Sequence, residues 1–225
     1  MKVRILLKSY LQLYFQNFLY LAILFSIISF GLLANHLLEI GNLKKFSLLL
    51  IAMFLLSLFS TMNLYYNDSQ QNKYLKQKIN SFWADWLSQL LVAVITNLFS
   101  SILIFIFSLL LNDNVLSDIV GILSLFSVGF LGSGIATLFQ TQWHNHSTIG
   151  QIGVLIFTYL AFSGSVVGIL TAAEWLLPPL SKIIITLQTT SSITKLLPVV
   201  GQTLLYAMIL FFISGLIYKK TRKSA

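Results

Sequence analysis

The chain has 225 residues, of which 57% are hydrophobic and 9% are charged, and its mean hydropathy is +0.87. Soluble domains carry about a quarter of their residues as charges, and surface-to-volume scaling leaves a soluble fold of this size no way to hide so much Leu, Ile and Phe. The composition therefore excludes an ordinary water-soluble domain, and the absence of cysteine excludes a disulfide scaffold, a thiolate metal site and a cysteine nucleophile. The net charge of +8 does not gather into a face for nucleic acid. Its basic residues sit between apolar runs, which is the arrangement of a topology signal.

No long polar block interrupts the pattern, so residues 1–225 read as a single transmembrane domain. In lipid every backbone polar group must pair within the protein, and the apolar runs lack the alternation of barrel strands, so the spans are predicted to be helical. The first stretch, 1–17, is too charged to span and too apolar to float free. Val3, Leu6, Tyr10, Leu13 and Tyr14 recur at helical spacing, with Arg4, Lys8 and Gln12 four apart on the opposite face. That pattern predicts an interfacial amphipathic helix whose cations meet anionic headgroups; an extended first span is the alternative. Leu32 and Ala34 make a poor cleavage pair, so the first apolar run reads as an uncleaved span and not a signal peptide.

Crossing the hydrocarbon takes roughly 20 mostly apolar residues. Six segments are long enough, about 18–35, 46–66, 87–111, 119–139, 149–172 and 199–218. With the N-terminus inside, the cytoplasmic side holds ten cations (Lys2, Arg4, Lys8, Lys73, Lys76, Lys78, Lys219, Lys220, Arg222 and Lys223). The outer side holds four, Lys44, Lys45, Lys182 and Lys195. The excess predicts both termini in the cytoplasm, with the Lys44–Lys45 pair in local opposition. The expected fold is thus an all-α membrane protein with six transmembrane helices, an N-terminal interfacial amphipathic helix and both ends cytoplasmic.

Between the second and third spans, 67–86 reads NDSQQNKYLKQKINSFWADW. A cap-like Asn67-Asp68-Ser69 precedes a run without Gly or Pro, which predicts a short helix across the membrane face, or else a solvated loop. Phe82, Trp83 and Trp86 sit where an aromatic belt would anchor the third span. In the fourth span Gly129, Gly132 and Gly134, and in the fifth Gly164 and Gly168, are small residues that let helices approach closely. The outer segment 174–198 is too apolar for a disordered loop and is broken by Pro178-Pro179. It is predicted to form short broken helices that dip into the outer leaflet against protein.

The chemistry that is missing narrows the function. No Asp, Glu, Lys or Arg lies deep in a span, and Asp85, Asp118 and Glu174 fall at or near span ends. Ion-driven carriers usually bind their coupling ion on a mid-membrane ionisable group, so that class is disfavoured. The deepest polar side chains are Asn63, Thr96 and Asn97, which either face a translocation path or bond neighbouring helices. No H-E-x-x-H, no G-x-S-x-G and no phosphate-binding loop is present. His144 and His146 read as polar loop residues and not as metal ligands. The chain is therefore expected to be no enzyme and to bind no cofactor or metal.

This layout, with two spans, a polar helical cytoplasmic segment, three spans, an apolar outer segment and a last span, resembles the ABC-2 type permeases. These are the membrane subunits of one class of ATP-binding-cassette exporter. The resemblance covers essentially the whole chain and rests on architecture. It implies a coupling helix over about 69–83, with Lys73, Lys76, Lys78, Phe82 and Trp83 meeting the ATPase subunit, and a second ATPase contact at 140–148. The family often carries an E-x-x-x-G-T stretch there; this chain has Asp68-Ser69-Gln70-Gln71 and lacks the glycine. The partners implied are an ABC ATPase subunit that holds the ATP, a second permease copy or a sister permease, and the lipid bilayer of the cell membrane. Uncharged spans suit an amphipathic cargo, a peptide or a lipid-like molecule. Two other classes share the layout in part: the substrate-binding membrane component of an ATPase-powered importer, and a non-transporting immunity or assembly protein.

Overall fold

The computed structural model describes residues 2–36, 42–66, 70–79, 81–108, 115–142, 147–164, 177–189 and 193–223. Every regular element among them is helical. In chain order these are α1 (Lys2–Phe15), α2 (Phe18–His36), α3 (Asn42–Tyr66), α4 (Gln70–Ile79), α5 (Phe82–Ser108), α6 (Val115–Gln142), α7 (Ser147–Ser163), α8 (Leu180–Thr189), a 3₁₀ turn (Ile193–Leu196) and α9 (Leu197–Lys223).

Four helices are long and apolar enough to cross a membrane, in α3, α5, α6 and α9, and α1 and α2 together make a fifth candidate bent by 59°. The apolar α7 runs 17 residues, and the remainder of the expected fifth span, 165–172, lies outside the described residues. The helices exceed several expected spans at their ends, because polar residues such as Asn42 and Gln142 continue the backbone hydrogen bonding beyond the apolar core.

The bundle is organised around α6. Of its most apolar stretch 78% is buried, against 39% for α9, and its most extensive packing is with α3 and α9. Glycine makes the α3 approach possible. A Cβ on Gly132 would stand 2.7 Å from the Phe54 carbonyl oxygen, and one on Gly129 would meet Met53 and Asn97. Gly134 faces Ala207 and Leu210 of α9 instead. Without a hydrophobic force between helices in lipid, such close backbone contact is what holds them together. Gly168 lies outside the described residues.

The outward faces of α2, α5 and α9 are apolar: Phe25 and Leu33, Leu98 and Phe107, Leu205 and Phe212 are all exposed. A water-soluble monomer rarely presents such area. At one end of the bundle α8 lays Leu180, Ile183 and Leu187 against the core, packing on α3, α7 and α9, after Pro178-Pro179 has broken the chain.

The first helix shows the expected division into two faces. Leu6, Tyr10 and Tyr14 are buried while Arg4, Lys8 and Gln12 are exposed, so α1 is amphipathic. Its apolar face, however, packs mainly along α5. The tyrosine hydroxyls explain the preference, because a buried phenol needs a hydrogen-bond partner that lipid tails do not supply.

Candidate functional site

The end of the bundle that carries α4 is built by four chain segments. The start of α1, all of α4, the start of α5 and the end of α9 converge there. Lys2 Nζ donates to the Ile79 carbonyl at 3.4 Å, and Ser88 Oγ donates to the Val3 carbonyl at 3.2 Å. The chain breaks between α4 and α5, where Ser81 caps the new helix and accepts from the Ala84 N–H at 3.4 Å. A serine at this position satisfies an otherwise unpaired helix amide.

Asp85 is the hub. Of the six acidic residues, Asp85 and Asp118 are among the described side chains, and Asp85 alone of the two is buried, at 1% exposure. The Tyr10 hydroxyl donates to its Oδ1 at 2.7 Å, the Tyr218 hydroxyl to its Oδ2 at 2.7 Å, and Gln89 Nε2 to Oδ1 at 3.2 Å. Tyr65 extends the network, donating to Gln89 Oε1 at 2.9 Å. One carboxylate thus joins α1, α3, α5 and α9. Its place in the first turn of α5 adds the favourable end of the helix dipole.

The residues singled out from the sequence divide into three groups. Lys76 on α4 lies 5.3 Å above the Tyr10 ring, a cation–π contact that ties α4 to the Asp85 network. Lys78 is exposed on the same helix, and the side chain of Lys73 lies outside the described residues. The helix expected over about 69–83 ends at Ile79, and Phe82 and Trp83 stand in the first turn of α5, at the entry to the third span where an aromatic belt was expected. Ser81 caps a new helix there, and the Phe82 ring packs 5.9 Å from Tyr218 and 5.4 Å from Trp83. Trp86 crosses to α9 and donates to the Phe211 carbonyl at 3.1 Å, over Gly215, where a Cβ would collide with the indole.

Asn97 and Thr96 lie in a different place, inside the packed core of one chain. Asn97 Nδ2 donates to Ser133 Oγ at 2.8 Å and to the Ala93 carbonyl at 2.7 Å. Ser133 Oγ also meets Ser57 Oγ at 2.6 Å and Thr61 Oγ1 at 3.1 Å. Thr96 turns back on its own helix, donating to the Val92 carbonyl at 2.8 Å. Of the two roles open to them, bonding a neighbouring helix is the one this geometry favours for Asn97, while Thr96 is engaged with its own helix. Asn63 is apart from both, donating to Asn17 Oδ1 at 2.9 Å beside the elbow between α1 and α2.

Sequence reasoning did not single out Asp85, Tyr10, Gln89 or Tyr218 as a unit. The available signal was two tyrosines on the apolar face of α1, which need acceptors. Nothing in one sequence says that the acceptor lies 75 residues on. The loop at 140–148 and both histidines fall largely outside the described residues, among which no group of three metal-ligating side chains is assembled.

These features define an all-helical protein with four or five helices fit to cross a membrane. Compared with protein-family models, with curated proteins and with solved structures, the chain matches none.

Proposed function

We propose that the chain is the membrane-spanning permease subunit of an ATP-binding-cassette exporter. On this reading it has six spans, counting α1 with α2 as one and α7 as part of the span expected from the sequence over 149–172, and both termini face the cytoplasm of the cell that bears it. One observation carries the reading. The short basic helix α4 packs Leu75 and Ile79 against the end of the bundle and is wired through Lys76, Tyr10 and Asp85 to the first helix, to α5 and, by Tyr218, to the last helix. A helix pushed by a partner at that position has a direct route to the helices that must tilt.

The cargo reading follows the same logic. Asn97 and Thr96 are enclosed within one chain, so the path for an amphipathic peptide or lipid-like cargo runs between two permease copies. The ATP is held and hydrolysed by the partner subunit. The charge distribution agrees: Lys2, Arg4, Lys8, Lys76, Lys78 and Lys219 share the α4 end, whereas Lys44, Lys45, Lys182 and Lys195 share the other. That sorting supports a cytoplasmic α4 end.

Co-purification from solubilised native membranes tests this. A stoichiometric ATP-binding-cassette subunit is expected with the unaltered chain and lost when 70–79 is replaced by a Gly/Ser linker. Recovery of the chain without any ATPase, under conditions that preserve a known transporter complex, would reject the permease reading.

A further inference from the structure

Two cavities open on the seam between α2 and α3. The first, of about 470 Å³, lies at the elbow after α1 and is lined by Gln16, Asn17 and Asn63 beside Leu19 and other apolar side chains, with Asn63 Nδ2 donating to Asn17 Oδ1. The second, of about 310 Å³, is bounded by Ala22, Ser26 and Phe30 of α2 and by Ala52 of α3.

They are two stations on one groove. Leu19 of the first cavity and Ala22 and Ile23 of the second are three and four residues apart, hence on one face of α2. On α3, which runs the opposite way, Asn63 and Ala52 are separated by roughly 16 Å at the helical rise of 1.5 Å per residue. Half of a hydrocarbon core about 30 Å thick is about 15 Å, so the groove is as deep as one leaflet. Among the described residues its polar side chains are the three carboxamides at the elbow and Ser26, and none that lines either cavity is charged. Its outer side is open toward the exposed apolar face of α2, where Phe18 is 83% and Phe25 66% exposed.

We propose that this groove binds a single diacyl phospholipid, its glycerol-ester region against Gln16, Asn17 and Asn63 and one acyl chain running along the seam to Phe30. Carboxamide N–H groups donate to ester and phosphate oxygens, which only accept, and the lack of charge among the described lining residues makes the site read the ester region common to phospholipids. A peptide is a poor fit. Its backbone would need partners along the whole groove, and among the described residues lining the apolar half the hydroxyl is that of Ser26, which already donates to the Ala22 carbonyl at 2.8 Å. The site does not depend on the transport reading.

Native mass spectrometry of the full chain, released from a detergent that strips loosely held lipid, tests the assignment. The probes are palmitoyl-oleoyl phosphatidylglycerol and the matching phosphatidylethanolamine. The expected result is one retained lipid per chain with no preference between the two headgroups. Retention should vanish in Ala52→Trp and in Ser26→Trp, which fill the groove from its inner and outer walls. The Asn17→Leu/Asn63→Leu pair should weaken retention about fivefold or more, as lost hydrogen bonds predict. Because Ser26 is exposed, its tryptophan variant is expected to keep the thermal midpoint of the unaltered chain, which separates loss of the groove from loss of the fold. No retained lipid in the unaltered chain, undiminished retention in both tryptophan variants, or a co-purifying peptide in place of lipid would overturn the proposal.

Discussion

Two buried polar networks hold this bundle together, and they are built on opposite principles. The one around Ser133 uses small hydroxyls and a carboxamide on α3, α5 and α6, each within reach because glycine lets the backbones touch. The one around Asp85 uses long tyrosines that reach a single carboxylate from α1 and α9. The first network also centres on one hydroxyl, but on its loss Ser57 and Asn97 keep the backbone carbonyls of Gly129 and Ala93 as acceptors. The second hangs on one acceptor, so its removal strands donors on separate helices at once. Short bonds between touching helices fix a geometry, whereas long side chains meeting at one carboxylate join elements that need not touch.

That contrast can be broken at its foundation by Gly132→Leu. The new side chain meets the Phe54 carbonyl oxygen, which is backbone and has nowhere to go. A loss of about 3 kcal/mol is expected from overpacking, read as an earlier midpoint in SDS-induced unfolding from mixed micelles. A midpoint unchanged from the unaltered chain would mean that α3 and α6 are not in close contact.

Asp85→Ala should come next, at about 2 kcal/mol, because it leaves the Tyr10, Tyr218 and Gln89 donors without their shared acceptor. Its sharper form is a double-mutant cycle. Tyr10→Phe and Tyr218→Phe should show a coupling of about 0.5–1 kcal/mol through the carboxylate they share. Strict additivity would show that the carboxylate does not link α1 to α9.

Ser133→Ala tests the distributed network. It removes one hydroxyl common to Ser57, Thr61 and Asn97, yet about 1 kcal/mol is the expected loss, since polar contacts within membrane proteins average less than that. A loss exceeding that of Asp85→Ala would reverse the ranking of the two networks. The smallest effect belongs to Lys76→Gln, about 0.5 kcal/mol for a partly exposed cation–π contact. Its visible consequence should be faster hydrogen exchange confined to α4, and uniform exchange across α4 and α5 would refute a local role.

Much of the helical framework was legible because lipid leaves the backbone few choices. The segments of α3, α5, α6 and α9 stand out as apolar runs, and their polar ends only extend the same hydrogen bonding. The amphipathic pattern of α1 was equally plain, with Arg4, Lys8 and Gln12 on one side. What covers the other side was not. A run of Leu and Tyr satisfies lipid and protein alike, and only the position of Asp85 decides between them. The break before Phe82 was missed for a similar reason. Composition is continuous through NSFWADW, and the capping serine at 81 is ordinary until the helix direction changes.

The sequence by itself determined the solvent, the helical class and the sorting of cations between connections, because these follow from summed hydrophobicity and charge, which need no partner to be read. The tertiary structure alone decided that Asn97 and Thr96 are packed inside one chain, that Asn63 borders a groove with Asn17, and that Asp85 gathers helices from both ends of the chain. Those outcomes depend on which residues far apart in sequence come within hydrogen-bond distance, and periodicity along one helix carries no information about its neighbour.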